Sequence, residues 1–340
     1  VDARPELARA LELSMKDSVR VWLTDRISIW PRAKNVQVAV DLAAGLSGSS
    51  IWPFTLRYAD RVGGRVTWGS PPLLNEPWNP IAGTNWLYDA MIQRGTQEES
   101  LLYDPYTGLT LPHRVQRAEV YVKEGLPVSR THDWVQLHFV PEIKVPADAW
   151  IDWDPQAQRF ITVGEKHPEG LTALRKSVVY YEDFDRIRWH DGSPLDVADI
   201  VLGIILTFDR AKEGSPIFDK SAVPAFQSFQ AAFRGMRIVQ EDPLVIEWYS
   251  NTWFTDAELN VNAPYPTDLS MYGFGTGAWH NLGLGIRAEA NRETAFSSAK
   301  ARELNVEWVS YIAGPSLQTL VKHLREARAQ TYIPYAPTLG

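Results

Sequence analysis

Apolar residues recur along this chain with two periods, and the switches between them outline its elements. Leu7, Leu11 and Met15 follow at i+4 spacing behind Pro5, which suits a first turn, so a helix is predicted from Pro5 to about Ser18. Alternation then takes over in "SVRVWLTD" (Val19, Val21 and Leu23 on one face) and in "NVQVAVDL", and both read as strands. "AAGLSGSS" reads as a small-residue loop. "GGRVTWGSPPLLNEPWNP" reads as a short strand running into a loop where Pro71, Pro72, Pro77 and Pro80 forbid regular ladder pairing. "NWLYDAMIQRG" predicts a short helix closed by Gly95, and "DPYTGLTLP" has turn chemistry.

Further on, "AEVYVKEG" and "WVQLHFV" predict strands, and "AWIDWDPQAQRFITVGE" a hairpin turning at Asp154-Pro155. A second hairpin is expected in "GMRIVQEDPLVIEWYS", with its turn at Asp242-Pro243. "NAPYPTDLSMYGFGTGAWHNLGLG" reads as one long loop, a length usually tied to function or motion. "ETAFSSAKAREL" and "SLQTLVKHLREARAQ" predict helices. The chain has no low-complexity tract and no short-period repeat.

The richest stretch is "RIRWHDGSPLDVADIVLGIILTFDRA". Ile187 and Trp189 face one way, and Arg186, Arg188 and His190 the other. Asp191-Gly192 is a strong turn pair, and Asp196 stands where a helix N-cap belongs, with Asp199 three residues on. Val197, Ile200, Val201, Ile204, Ile205 and Phe208 complete an apolar stripe at helical spacing, and Gly214 is expected to close the helix. Each polar residue here has a local folding task, so His190 and Asp191 read as scaffold rather than catalyst.

Composition narrows the function classes. A chain of 340 residues allows about two domains on the usual length prior. A net charge of −7 argues against a nucleic-acid partner, since a large basic face is needed for phosphate backbones. Without cysteine there is no thiol nucleophile, cysteine–zinc site or disulfide framework. The longest apolar run, "IVLGIILTF", is too short to span a bilayer. The chain starts at Val1 without the basic-then-apolar design of a signal peptide, which suggests a removed leader or a piece of a longer protein. Its 14 tryptophans exceed what core packing requires, and indoles offer flat surfaces to ligands.

Candidate chemistries mostly fall short. "GFGTGAW" (Gly273, Gly275, Gly277) follows no buried strand and lacks the dinucleotide spacing. Neither a Walker sequence nor a G-x-S-x-G elbow occurs. His132 and His138 would share a face of one strand but have no third ligand at metal spacing. Asp152 and Asp154 flank Trp153, a pairing that could hydrolyse a glycoside, although a hairpin turn explains them more simply. No cofactor, no metal and no catalytic residue is therefore assigned.

"RIRWHDGSPLDVADIVLGI" resembles the signature of the peptide, dipeptide and nickel-binding family of ABC-transporter solute-binding proteins: a strand ending in Trp or Phe, a His-Asp-Gly turn, a Pro, then a helix opening with acids. The hairpin at Asp242-Pro243 lies where that family has a comparable one. "RVTWGSPPLLNEPWNP" and "LLYDPYTGLTLP" resemble its opening strand, its Asn-Pro loop and a later connection, so the likeness runs from about Arg65 to Ser250. The order differs from the family pattern, because residues 6–42 look like a closing part placed first. The expectation is an internal section of a longer member.

The resemblance implies an α/β fold, a type II periplasmic-binding-protein-like lobe with a twisted mixed sheet and flanking helices, part of a bilobal protein that closes on its ligand. Residues 1–60 would belong to the closing part of a lobe, 61–260 to the main lobe, and 261–340 to a glycine-rich loop and helices leading toward the other lobe. The implied function is capture of oligopeptides, extracellular or periplasmic, for an ABC permease, with any membrane attachment through an anchor this chain does not carry. An oligosaccharide ligand and a glycoside-active enzyme remain open as alternatives. The proline-held rim loop and the helix after it offer indole faces and amides, so Trp78, Asn79, Asn85, Trp86 and Tyr88 are the expected ligand-binding residues.

Overall fold

A computed structural model describes residues 4–17, 29–42, 44–70, 75–266 and 277–340. The strand expected at 18–25, Pro71 and Pro72 of the rim loop, and Gly273 and Gly275 lie outside the described residues. The chain is mixed α/β, built on a seven-stranded sheet. Its strands are β1 (Val115–Lys123), β2 (Val135–Val140), β3 (Trp150–Asp154), β4 (Arg159–Thr162), β5 (Arg175–Tyr181), β6 (Phe233–Glu241) and β7 (Leu244–Ser250). They lie in the order β2-β1-β5-β7-β6-β3-β4. Only β1 and β2 run parallel; the other neighbours are antiparallel, so the sheet is mixed. Both hairpins form at the predicted Asp-Pro turns.

Alternation along the strands separates two faces. Ala118, Val120 and Val122 of β1 point into the main core with Ile246 and Trp248 of β7, while Arg117, Glu119 and Tyr121 point the other way. There Glu119 accepts bonds from Arg117, Tyr121 and Tyr180, and Glu247 from Arg237 and Tyr249. Beside this network a smaller apolar cluster of Ile143, Val145, Ala149, Ile151, Val163, Ala173 and Tyr249 covers part of the second face.

The helices of seven residues or more among the described residues are α1 (Arg4–Lys16), α2 (Leu87–Arg94), α3 (Val197–Asp209), α4 (Val223–Ala232), α5 (Trp279–Ala290), α6 (Ser298–Leu304) and α7 (Ser316–Gln330). Every residue of α3 from Asp199 to Asp209 is buried, not only the expected stripe. Such a helix lies inside a core. The main core has the sheet on one side and Leu282, Ile286, Phe296, Val309, Leu320 and Tyr335 on the other. Residues 261–340, expected to lead toward another lobe, thus contribute to the same core as the sheet.

The ends of α3 are held by carboxylates. Asp196 is the expected N-cap, and with Asp199 it forms a capping box. Asp199 accepts from the Asp196 amide (3.0 Å), the Trp189 indole (3.0 Å) and the Trp279 amide at the start of α5 (2.7 Å). Burial pushes its carboxyl above the ordinary range. At the other end Asp209 accepts from the Trp153 indole (2.9 Å) and the hydroxyls of Ser215 (2.7 Å) and Tyr335 (2.7 Å). Nearby, Lys300 pairs with buried Glu289 at 2.6 Å and Arg210 with Asp219 at 3.3 Å.

Several local expectations need correction. Helix α3 ends at Asp209 rather than at Gly214. The glycine-rich "WHNLGLG" is the first part of α5, not loop. Glycine suits Gly285 because a Cβ there would stand 2.3 Å from the Tyr311 hydroxyl and 2.6 Å from the Phe296 ring. Helix α6 starts at Ser298, since Thr294–Ala295 pairs with Glu307–Trp308 as a parallel bridge. In "NVQVAVDL" only Val36–Gln37 pairs, with Arg57–Tyr58; residues 65–70 form no strand, and Gly45–Gly48 makes a helical turn where loop was expected. Helix α1 forms as expected, yet Leu7, Leu11 and Met15 are exposed. No helix among the described residues is long and apolar enough to cross a membrane.

Replacing Asp199 by Ala leaves three donors without an acceptor, two of them at helix starts. The variant should be less stable by about 2–4 kcal/mol in urea unfolding.

Candidate functional site

An open cleft of about 1040 Å³ lies at one end of the sheet. It is built where antiparallel neighbours β1 and β5 meet loops. Arg114 stands immediately before β1 and Glu182 immediately after β5, and the Glu182 amide donates to the Arg114 carbonyl at 3.0 Å. Arg114 is the hub of its floor. Its guanidinium makes a two-pronged pair with Glu98 (2.7 and 2.5 Å) and reaches Glu182 at 3.3 Å. The Glu98 bonds outweigh partial burial and hold Arg114 above its ordinary range. Phe54, Trp189 and Tyr265 add aromatic surface, and burial raises the Tyr265 phenol.

The "RIRWHDG" stretch forms one wall, though as a bridge between Arg188 and Pro194 rather than as a full strand. Trp189 N–H donates to Ser193 O (2.8 Å) and Leu195 N–H to Ile187 O (3.2 Å), which keeps the arm extended. As predicted, Ile187 and Trp189 pack on the main core while Arg186, Arg188 and His190 are exposed on the other side. Asp191 holds the turn: it accepts from the Ser193 hydroxyl (2.6 Å) and amide (3.0 Å) and pairs with His280 of α5 (2.8 Å). The Ser193 hydroxyl, the Ser193 amide and His280 bring its carboxyl down to about 2. His190 differs from expectation: it lines the cleft, with no hydrogen-bond or ionic partner among the described residues, and has no visible folding task.

The five expected ligand residues fall into two groups. Trp78 and Asn79 are part of the fold. Asn79 Oδ1 accepts from the amides of Ile81 (3.1 Å) and Ala82 (2.8 Å), and Nδ2 donates to the carbonyls of Phe296 (2.9 Å) and Val309 (3.0 Å). An amide has two donors and one carbonyl oxygen, so Asn79 has no capacity left for a ligand. The tight loop also requires Gly83, where a Cβ would stand 2.5 Å from the Asn79 nitrogen. The Trp78 carbonyl accepts from Tyr311 N–H at 2.7 Å, while its indole N–H is buried with no partner among the described residues, beside a small pocket of about 240 Å³. Asn85 and Trp86 are exposed just before α2, with Trp86 as its N-cap, and Tyr88 packs against Trp30 at 5.9 Å. None of the five lines the large cleft.

The other candidate chemistries also find their places. Asp152 is nearly buried and binds Lys166 (2.5 Å) and Lys212 (2.6 Å). Burial opposes its ionisation, but the two ammonium groups and the Trp153 amide outweigh that and hold the carboxyl below its ordinary value. Asp154 accepts from the amides of Gln156 and Ala157 in the hairpin turn. His132 precedes β2 instead of sharing its face with His138, which stacks on Tyr121 at 4.6 Å. Among the described residues no group of three or more His, Asp or Glu is arranged to hold a metal.

Glu98, Arg114 and Glu182 went unremarked in the sequence. Their only signal is a charged residue just outside a strand boundary, and their pairing joins positions far apart in the chain. Compared with known proteins, the chain matches no family model and no curated sequence.

Two outcomes separate fold residues from free ones. Asn79→Ala should lower stability by about 2–4 kcal/mol in urea unfolding, whereas Trp86→Ala should change it by about 0.5 kcal/mol or less. Asp152 gives a pH signature. Its folded carboxyl titrates below the ordinary value near about 3.9, so its contribution is present above that pH and is lost as pH falls through the folded value. Asp152→Asn should therefore lower stability at neutral pH and flatten the stability loss below about pH 4, read from urea midpoints across pH.

Proposed function

We propose that this chain is the ligand-binding part of an extracellular or periplasmic solute-binding protein that captures short peptides for an ABC permease. The observation that supports it best is the cleft beside the turn-and-helix stretch that resembles that family: its size is at the upper end of small-ligand sites, and both signs of charge line it. A peptide presents an ammonium, a carboxylate and a repeating donor–acceptor backbone, so a surface that alternates arginine and carboxylate suits it. The type II binding-protein architecture belongs to the same proposal. It is consistent with the mixed sheet and with α3 buried behind the turn.

Hydrolysis of glycosides has less support. Asp152 is tied by two lysines, and the cleft acids Glu98 and Glu182 are engaged with Arg114. Capture without turnover is therefore the reading. Calorimetric titration with a pool of tetrapeptides should show saturable binding, with mass spectrometry recovering the peptides intact. Phe54→Ala, at an exposed aromatic of the cleft, should weaken that binding by about three- to tenfold. Binding of β-glucan oligomers but not peptides would favour the oligosaccharide reading, and cleavage in proportion to protein would overturn capture altogether.

A further inference from the structure

The cleft is balanced in formal charge but not in how its charges are engaged. Among its acids, Glu98 and Glu182 bind Arg114, Asp191 binds His280 and Ser193, and Asp183 accepts from the Asp185 amide at 2.8 Å. Among its bases, Arg114 is held by two carboxylates, and Arg94 donates to the Ser47 carbonyl at 2.5 Å. Three bases are left over. Arg186 and His190 have no hydrogen-bond or ionic partner among the described residues, and Arg188 donates only to the neighbouring Ile187 carbonyl at 3.1 Å.

All three are exposed and follow one another along the cleft wall as a row: Arg186 closes a short 3-10 turn (Phe184–Arg186), Arg188 lies in the extended segment that bridges to Pro194, and His190 opens the turn at Asp191-Gly192. The row is fixed from behind. Ile187 and Trp189 are packed on the core, and the Trp189 indole is bonded to Asp199. Folding does not call for three basic side chains on the outward side: the turn, the helix cap and the apolar anchor are all made by other residues. Arginine forks on a rigid backbone are well suited to carboxylates, which they bind through paired N–H donors.

We infer that Arg186, Arg188 and His190 form an anion-reading row that gives the cleft a preference for acidic peptides. This rests on the peptide-capture reading and adds the ligand's charge to it. Carboxylates on the peptide lie against Arg186 and Arg188, with His190 as an additional donor at the turn.

The test is calorimetric titration of the whole chain with three tetrapeptides, Ala-Ala-Ala-Ala, Ala-Glu-Glu-Ala and Ala-Lys-Lys-Ala. The acidic peptide should bind about tenfold tighter than the neutral one, the size of one good charged hydrogen-bonded contact. In the Arg186→Gln, Arg188→Gln double variant that advantage should shrink to within about twofold. Both residues are exposed, so circular dichroism and melting should match the parent, and the two single variants give intermediate ratios if the double variant does not fold. Equal binding of the three peptides by the parent overturns the acidic preference and leaves peptide capture standing. An acidic preference that survives both substitutions assigns it elsewhere and overturns the row. Binding of none of the three overturns both readings.

Discussion

The fold depends on burying α3 on every side. A helix with water along one face could be held by a stripe alone; a helix enclosed completely must satisfy its polar groups at its two ends, because water reaches nowhere else. Asp196 meets it at the N-terminus by capping the Ala198 amide, and the buried carboxylates of Asp199 and Asp209 find donors of their own. Each collects three donors, and between them the donors come from the turn stretch, the start of α5, strand β3, the loop after α3 and the segment at Tyr335. The cost of burying two carboxylates is visible in their raised titration. The return is register: five separated parts of the chain are fixed to the ends of one rod.

That arrangement also positions the cleft. The turn stretch has a structural side and a free side, and strand-like alternation keeps them apart. Trp189 joins the stretch to Asp199, and Asp191 joins it to His280 on α5, whose first amide also bonds Asp199. The wall bearing Arg186, Arg188 and His190 is therefore clamped at both edges to the buried helix. Opposite it, Arg114 and Glu182 are presented by the ends of two neighbouring strands whose pairing fixes their separation. Preorganised polar groups on a rigid frame lose little entropy on binding.

Periodicity and turn chemistry were enough to identify much of this from the sequence. The strands at 115–123 and 135–140, both Asp-Pro hairpins, the capped start of α3 and the two-sided "RIRWH" arm follow from local residue order, because alternation, N-capping and turn formation involve neighbours only a few residues apart. Local order misled where a distant partner intervened. "WHNLGLG" has loop composition but is helical because its glycines admit rings from elsewhere, Gly285 beneath Phe296 and Tyr311. "NVQVAVDL" alternates well, yet pairs over only two residues with its partner.

The candidate site divides in the same way. The sequence by itself determined that Ile187 and Trp189 would face the core and Arg186, Arg188 and His190 would not, although only the middle of that stretch is extended and Arg186 closes a short 3-10 turn. It also determined that a proline-held loop would run through Trp78 and Asn79. It did not determine which of these is available to a ligand. Asn79 is a free amide in the sequence and a fully bonded one in the fold, because Phe296 and Val309, more than two hundred residues away, bring their carbonyls to it. Glu98, Arg114 and Glu182 became a charged floor only when β1 and β5 paired. Whether a polar side chain serves the fold or faces a cleft is decided by the hydrogen-bond partners that distant segments supply, and those are set by tertiary structure alone.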